Sequence, residues 1–135
     1  MTVTLDLKSK VTMPKSILIV DDSSVVRSAT RHFLESETQY EVCGEAVDGL
    51  DAIQKARHLG PDLIILDLQM PRMNGLQAAR ELRRLNVAAP IILFTLYADA
   101  VRPHEAVAAG VSAVVDKTDL STLLQHIEVL LPASA

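Results

Sequence analysis

The stretch Leu63-Ile64-Ile65-Leu66-Asp67 decides the fold, because four consecutive apolar residues run directly into a carboxylate. A run with no polar alternation is typical of a strand that is buried on both faces of a parallel sheet. The acid that follows marks the carboxyl end of that strand. The sequence therefore predicts a buried strand over residues 63–66 that delivers Asp67 to the edge of a sheet.

Similar apolar runs recur along the chain, at residues 17–20, 41–46, 91–94 and 113–115, and each is predicted to form a strand. The runs at 17–20 and 91–94 also lack polar alternation, which is typical of central strands. Segments with helical spacing lie between the runs, so the pattern is that of five βα units. Right-handed crossovers turn such an alternation into a parallel α/β sheet with helices on both faces.

Three of the predicted helical segments carry apolar stripes at helical spacing. Gly60-Pro61 and Gly110 are expected to end helices, since glycine tolerates the left-handed conformation of a helix C-terminus. Pro103 is predicted to begin a short fourth helix over residues 103–109. The stripes comprise Val25, Val26, Ala29 and Phe33, then Leu50, Ile53 and Ala56, and finally Leu120, Leu123, Leu124, Ile127, Leu130 and Leu131.

Length and composition favour one globular domain. The 135 residues are 49% hydrophobic but only 3% aromatic, so aliphatic side chains must fill the core. A net charge of -4 argues against a general nucleic-acid binder, and Arg80, Arg83 and Arg84 are predicted to form a solvated face. The lone Cys43 excludes an intrachain disulfide. The sequence contains neither a signal-peptide pattern nor a membrane-spanning run, which predicts a cytoplasmic protein.

The chain is predicted to consist of an N-terminal extension over residues 1–15, a folded domain over 16–131, and a C-terminal tail or start of a linker over 132–135. Val3, Leu5 and Leu7 alternate with polar residues in the extension. The extension is therefore either an extra edge strand or a loosely attached tail that contains an alternative start at Met13.

Polar side chains follow the predicted strands, and ligands of open α/β sheets bind at that edge. Converging carboxylates repel one another unless a cation or a proton intervenes, and their oxygen ligands suit Mg²⁺. One carboxylate can then act as a nucleophile toward a phosphoryl group, while a hydroxyl and an ammonium group donate to the phosphoryl oxygens. The residues are Asp21 and Asp22 after 17–20, Asp67 after 63–66, Thr95 after 91–94, and Asp116 and Lys117 after 113–115.

This series, together with Met70-Pro71-Arg72-Met73-Asn74-Gly75 after Asp67, resembles the response-regulator receiver family of two-component signalling. The resemblance spans about residues 15–131. It implies a flavodoxin-like, doubly wound (βα)5 fold with strand order 2-1-3-4-5. It also implies a phosphorylation-dependent switch that catalyses its own phosphorylation and dephosphorylation on an aspartate.

The resemblance further implies partners and residue roles. A sensor histidine kinase, a phosphotransfer protein or a small acyl phosphate would supply the phosphoryl group, and a downstream protein or output domain would read it. Direct contact with nucleic acid or membrane is not expected. The implied phosphoacceptor is Asp67, the implied switch residues are Thr95 and Lys117, and the implied Mg²⁺ ligands are Asp22 and Asp67 directly, Asp21 through water and Gln69 through its backbone carbonyl.

Two positions depart from the family pattern. Leu96 stands where a small residue is usual, so its bulk is expected to restrict approach to the phosphoryl group. Val114 replaces the usual aromatic three residues before Lys117, so the signal must leave the site by another route or be transmitted only weakly. Tyr97, two residues after Thr95, is either that route or an ordinary surface tyrosine.

Two other functions stay open at this point. An aspartyl-phosphate phosphohydrolase shares the nucleophile and the metal, but it normally carries a second acid two residues after the nucleophile, where this chain has Gln69. A degenerate receiver would bind a partner without being phosphorylated. The intact acids, threonine and lysine argue against that alternative, while Leu96 and Val114 keep it open.

Overall fold

The computed structural model describes residues 14–132, in which five strands alternate with five α-helices. The predicted N-terminal extension falls almost wholly outside these residues, so its extent and role stay predictions, as does the tail over 132–135. The strands are β1 (Ser16–Val20), β2 (Glu41–Ala46), β3 (Leu63–Leu66), β4 (Ile91–Thr95) and β5 (Ala113–Asp116). The helices are α1 (Ser24–Glu37), α2 (Gly49–Leu59), α3 (Gly75–Arg84), α4 (Pro103–Ala108) and α5 (Leu120–Leu130), and a 3-10 helix spans Ala98–Ala100.

All five strands are parallel, and they lie in the order β2-β1-β3-β4-β5. The strands that lack polar alternation, β1, β3 and β4, occupy the centre, and every residue of β3 and β4 is buried. Val20 pairs with Leu66 and Leu66 pairs with Leu93, which brings the carboxyl ends of the central strands level with one another. The predicted flavodoxin-like (βα)5 fold is confirmed.

The sheet separates two hydrophobic cores, because successive side chains of a strand point to opposite faces. Leu18, Ile64 and Leu93 face helices α2, α3 and α4, whose contact surfaces are rich in alanine. Ile19 and Ile65 face the other side, where Leu34 of α1 and Leu123 and Ile127 of α5 cover them. Each fully buried aliphatic side chain stabilises the fold by about 1.5 to 3 kcal/mol. These two cores fix the sheet and therefore the edge that carries the functional groups.

The predicted apolar stripe of α1 is wrong in part. Val25 is 77% exposed and Ala29 is also exposed, whereas Thr30 and Leu34 are the buried residues of the helix. Thr30 can face the core because its hydroxyl donates to the Val26 carbonyl at 2.8 Å, which leaves no polar atom unsatisfied. The helix is thus rotated relative to the orientation that an apolar stripe alone predicts. Leu50 of α2 and Leu120 of α5 are likewise exposed.

Arg83 does not belong to the solvated face that was predicted for the arginines of α3. Its guanidinium donates to the carbonyl oxygens of Val87 at 2.6 Å, Ala89 at 2.9 Å and Gly110 at 2.8 Å. Burial lowers the pKa of Arg83, but the three carbonyls satisfy its donors. The side chain therefore joins the end of α3 to the connection between α4 and β5. Arg80 and Arg84 are exposed, as predicted.

Helix ends follow the predicted punctuation. Gly60 ends α2 with a left-handed φ of 58°, and Gly110, with a φ of 80°, lies just after α4. Helix α4 begins at Pro103 and is short, with Ala109 as its C-terminal cap. None of the helices within residues 14–132 has the length and apolar character that crossing a membrane requires.

Candidate functional site

The predicted side chains converge at the carboxyl edge of the sheet. Asp21 follows β1, Asp67 follows β3, Thr95 ends β4 and Lys117 follows β5. The backbone N–H of Asp67 donates to the Val20 carbonyl at 2.9 Å, and that of Lys117 donates to the Thr95 carbonyl at 3.0 Å. These bonds extend the strand pairing into the loops and hold the functional side chains next to one another.

Three carboxylates form the centre of the site. One oxygen each of Asp21, Asp22 and Asp67 lies within 4.8 Å of the other two. Asp21 and Asp67 are buried, at 3% and 5% exposure, whereas Asp22 is exposed. Because like charges at this separation disfavour ionisation, the cluster requires a neighbouring positive charge or a proton.

Lys117 supplies one such charge. Its Nζ lies 2.6 Å from Asp21 Oδ2 and 3.2 Å from Asp67 Oδ2, so it bridges two of the three acids. Burial disfavours the ammonium form, yet the contacts with Asp21 and Asp67 outweigh burial and raise the pKa of Lys117. Burial also raises the pKa of the Asp67 carboxyl, the Asp21 carboxylate raises it further, and Lys117 only partly offsets both. The cluster still carries an excess of negative charge.

Asp21 is fixed on several sides. Its backbone N–H donates to the Ala46 carbonyl at 3.0 Å, and its Oδ1 accepts from the Ser23 N–H at 2.9 Å. Ser23 is the N-cap of α1, and its hydroxyl accepts from the Val26 N–H at 3.2 Å. The same turn therefore begins the helix and sets the direction of the acidic side chain.

Thr95 is fully buried at the end of β4. Its hydroxyl oxygen accepts a hydrogen bond from the Tyr97 N–H at 3.1 Å. Because a threonine hydroxyl also carries one proton, this arrangement leaves Thr95 able to donate to an oxygen atom at the site. The bond also ties the backbone at Tyr97 to the position of the Thr95 side chain.

The loop after Asp67 is tightly constrained. The Gly75 N–H donates to the Leu68 carbonyl at 2.7 Å, and any side chain on Gly75 would overlap the Asp67 carbonyl. Asn74 and Gln77 form a reciprocal capping box at the start of α3. Glycine is therefore required at position 75 because the backbone of Asp67 approaches it closely.

The sequence pattern missed a second set of contacts to this loop. Arg72 has a left-handed φ of 68°, which is unusual for a residue with a side chain, and its guanidinium pairs with Asp48 Oδ2 at 2.8 Å. The Asp51 N–H and Arg72 together lower the pKa of Asp48, the N-cap of α2. Met73 packs against Gly49, the first residue of that helix. Arg72 and Asp48 lie 24 positions apart in the sequence, so no local motif predicts their ion pair.

Two of the residues predicted to hold a metal, Asp22 and the exposed Gln69, line an open cleft of about 390 Å³ together with Met70, Pro71 and Asn74. Three carboxylates with one lysine leave the site anionic, and oxygen ligands with access to solvent suit a hard divalent cation such as Mg²⁺. The donor set present therefore fits the predicted metal.

Leu96 lies at a second cavity of the protein. Its side chain is 60% exposed and lines an apolar cavity of about 280 Å³ with Val25 and Leu120. Lys117 also borders this cavity. The bulky residue predicted to restrict access thus shares a cavity with Lys117, one of the predicted switch residues.

Comparisons with known proteins point to one family. The family model for the response regulator receiver domain matches residues 17–128. Protein-glutamate methylesterase/protein-glutamine glutaminase 3 of Paramagnetospirillum magneticum is 40% identical over 107 residues, which cover 79% of this chain and 30% of that protein. The chain thus spans less than a third of the length of such methylesterases. Chemotaxis protein CheY of Thermotoga maritima is 34% identical over 105 residues, which cover 78% of this chain and 87% of CheY.

A solved structure extends the likeness to three dimensions. Response regulator protein TrrA of Thermotoga maritima, in complex with Mg(2+)-BeF, superposes with a TM-score of 0.78 at 33% identity, covering 87% of this chain and 99% of TrrA. The family model covers residues 17–128, which include most of the sheet and its helices. The chain therefore belongs to the response regulator receiver domain family.

Proposed function

We propose that this receiver domain accepts a phosphoryl group on Asp67 from a phosphohistidine of a sensor histidine kinase or phosphotransfer protein, or from a small acyl phosphate. The observation that carries the proposal is the contact of Lys117 Nζ with both Asp21 and Asp67 at an edge where three carboxylates lie within 4.8 Å. An anionic nucleophile beside a fixed ammonium group and a cation-binding acid pair is what phosphoryl transfer to a carboxylate requires.

Four residues would form the Mg²⁺ site. Asp22 and Asp67 would hold Mg²⁺ directly, with Asp21 acting through water and Gln69 through its backbone carbonyl. When bound, the ion would neutralise the charge that builds up between the carboxylates and the phosphoryl oxygens. Gln69 and Asp22 line the same cleft, which supports this ligand set.

In the transfer step an Asp67 carboxylate oxygen forms a bond to phosphorus while the P–N bond of phosphohistidine, or the P–O bond of an acyl phosphate, breaks. The bonding electrons leave with the imidazole or the carboxylate of the donor. Lys117 is close enough to Asp67 to donate to a phosphoryl oxygen. The Thr95 hydroxyl, whose oxygen accepts from the Tyr97 N–H, can donate its own proton in a hydrogen bond to a second phosphoryl oxygen. Because the contact with Asp21 already holds the Lys117 ammonium group in place, this side chain needs little reorganisation when the phosphoryl group is transferred.

The phosphorylated domain would act in the cytoplasm by changing its affinity for a downstream protein or output domain. Reversal requires water to attack the same phosphorus. Gln69 cannot supply the proton that a phosphohydrolase takes from a second acid, so hydrolysis of an external phosphate ester is not expected.

Intact mass measured after incubation with Mg²⁺ and acetyl phosphate tests the proposal. The wild-type chain should gain one phosphoryl group, and both chelation of Mg²⁺ and the Asp67→Asn substitution should prevent the gain. A mass gain that survives in Asp67→Asn would reject Asp67 as the phosphoacceptor. Turnover of a phosphate ester such as p-nitrophenyl phosphate would favour the phosphohydrolase instead.

A further inference from the structure

Arg27 connects the acidic loop to the neighbouring strand. Its Nη1 donates to the backbone carbonyl of Asp21 at 2.6 Å, and its Nε donates to Glu45 Oε1 at 2.9 Å. Its side chain is only 14% exposed. The guanidinium is therefore held by a carboxylate of β2 and directed at the peptide that joins Asp21 to Asp22.

Glu45 is shared between two arginines of α1. Arg31 Nε contacts its other oxygen, Oε2, at 2.7 Å, and Arg31 also pairs with Glu35. Arg31 is 34% exposed and makes no contact with Asp21 among the hydrogen bonds of residues 14–132. Arg31 thus has the same ion-pair partner as Arg27 but no link to the acidic loop.

The Asp21 carbonyl is part of the peptide that joins Asp21 to Asp22. The orientation of this peptide sets the position of the Asp22 backbone. Asp21 is fixed by Ala46, Ser23 and Lys117, whereas Asp22 is exposed, and no hydrogen bond to its side chain is found in the described part of the chain. A charge-assisted hydrogen bond to that carbonyl is stronger than a neutral one and directional. The orientation of Asp22 therefore depends on Arg27 more than on any contact of its own.

We propose that Arg27 is a positioning residue for the acidic pair, and that it sets the affinity for Mg²⁺ by fixing the Asp21–Asp22 peptide. The inference rests on the proposed function, in which Asp22 is a direct ligand. Charge alone would give the opposite effect, because a guanidinium near the carboxylates repels a divalent cation and its removal would strengthen Mg²⁺ binding. The direction of the change therefore separates positioning from electrostatics.

Titration of the full chain with Mg²⁺ by isothermal calorimetry tests the inference, with Arg31→Gln as the matched control for Arg27→Gln. Each variant loses one charge and one contact with Glu45, but only Arg27→Gln frees the Asp21 carbonyl. We expect the Mg²⁺ dissociation constant to rise about tenfold in Arg27→Gln, as the loss of one charge-assisted hydrogen bond suggests. Arg31→Gln should bind Mg²⁺ as the wild type does.

Phosphorylation kinetics give a second readout that a general loss of stability does not reproduce. The Mg²⁺ concentration for half-maximal phosphorylation by acetyl phosphate should rise in Arg27→Gln, while the rate at saturating Mg²⁺ stays near that of the wild type. Urea unfolding of both variants reports the cost of losing each Glu45 contact. If Arg27→Gln does not fold, Arg27→Lys replaces it, because lysine keeps the charge but cannot reach Glu45 and Asp21 as a guanidinium does.

The outcomes separate the two proposals. Equal Mg²⁺ affinity in wild type, Arg27→Gln and Arg31→Gln, or tighter binding in Arg27→Gln, overturns the inference and leaves the proposed function standing. A wild-type chain that binds no Mg²⁺ overturns both. Weaker binding confined to the Arg27 variants supports the positioning role.

Discussion

Substitution of Asp67 by asparagine is expected to stabilise the folded domain when no divalent cation is present. With an effective dielectric constant of about 20, a carboxylate within 4.8 Å repels Asp67 by at least about 3.5 kcal/mol, and two such acids face it. Lys117, at 3.2 Å, attracts Asp67 by about 5 kcal/mol under the same conditions. The balance is about 2 kcal/mol against the ionised carboxylate, and burial adds to it while solvent near Asp22 screens part of it.

Urea unfolding at pH 7 in the presence of a chelator measures this gain. Asp67→Asn should unfold with a free energy about 2 kcal/mol above that of the wild type, since the unfolded chain holds these charges apart. Asp99→Asn, at an exposed position in the 3-10 helix, removes the same formal charge and should change little. Because burial and Asp21 raise the pKa of Asp67, the gain should shrink as the pH falls through that raised pKa, where the wild-type carboxyl binds a proton.

Addition of Mg²⁺ should narrow this difference in stability between Asp67→Asn and the wild type. At ten times its dissociation constant a ligand that binds only the folded state stabilises it by about 1.4 kcal/mol. The wild type should show this gain, and Asp67→Asn should show much less of it. If Asp67→Asn is less stable than the wild type in the presence of the chelator, the reasoning is refuted. In that case Lys117 would stabilise the ionised carboxylate more than the acids destabilise it.

Leu96→Ala should speed phosphorylation by acetyl phosphate or hydrolysis of the aspartyl phosphate, because Leu96 borders the cavity next to Lys117; unchanged rates in both assays would dispose of steric shielding. Tyr97→Ala should leave phosphorylation intact but reduce the NMR shifts that it causes in α4 and β5, whereas wild-type-like shifts would identify Tyr97 as an ordinary surface residue. Glu45→Gln should lower the free energy of unfolding by about 1 kcal/mol at pH 7. Because Arg31 and Arg27 lower the pKa of Glu45, that difference should close as the pH falls from the ordinary value of 4.5 through the lowered one, and a pH-independent difference would contradict this ionic origin.

The strands were predictable because their signal is local. Residues 41–46 and 63–66 form strands with the predicted bounds, and β1, β4 and β5 each differ from prediction by one residue at one end. Helix faces were less predictable, since a stripe analysis counts apolar residues and cannot see that Thr30 satisfies its own hydroxyl within the helix. Val25, which the stripe placed inside, is consequently at the surface.

The strand-end side chains were predictable for a topological reason, because parallel strands bring their carboxyl ends to one edge whatever the loops do. The contacts that orient those side chains were not. Arg27 reaches Glu45 from a different element, Arg72 reaches Asp48 across 24 positions, and Arg83 turns inward to backbone carbonyls. Sequence spacing does not identify the partner of any of these arginines, so only the folded chain shows which groups they contact.

The hydrogen bonds at the ends of β4 and β5 explain why a change at Asp67 should be felt beyond the site without an aromatic at position 114. Thr95 accepts from the Tyr97 N–H through its hydroxyl and from the Lys117 N–H through its carbonyl. In the proposed phosphorylated state, a phosphoryl group that contacts both the Thr95 hydroxyl and the Lys117 ammonium would therefore act on one connected stretch of backbone. Since Tyr97 lies on the solvent side of that stretch, at 49% exposure, displacement of the backbone alters a surface that a partner can contact.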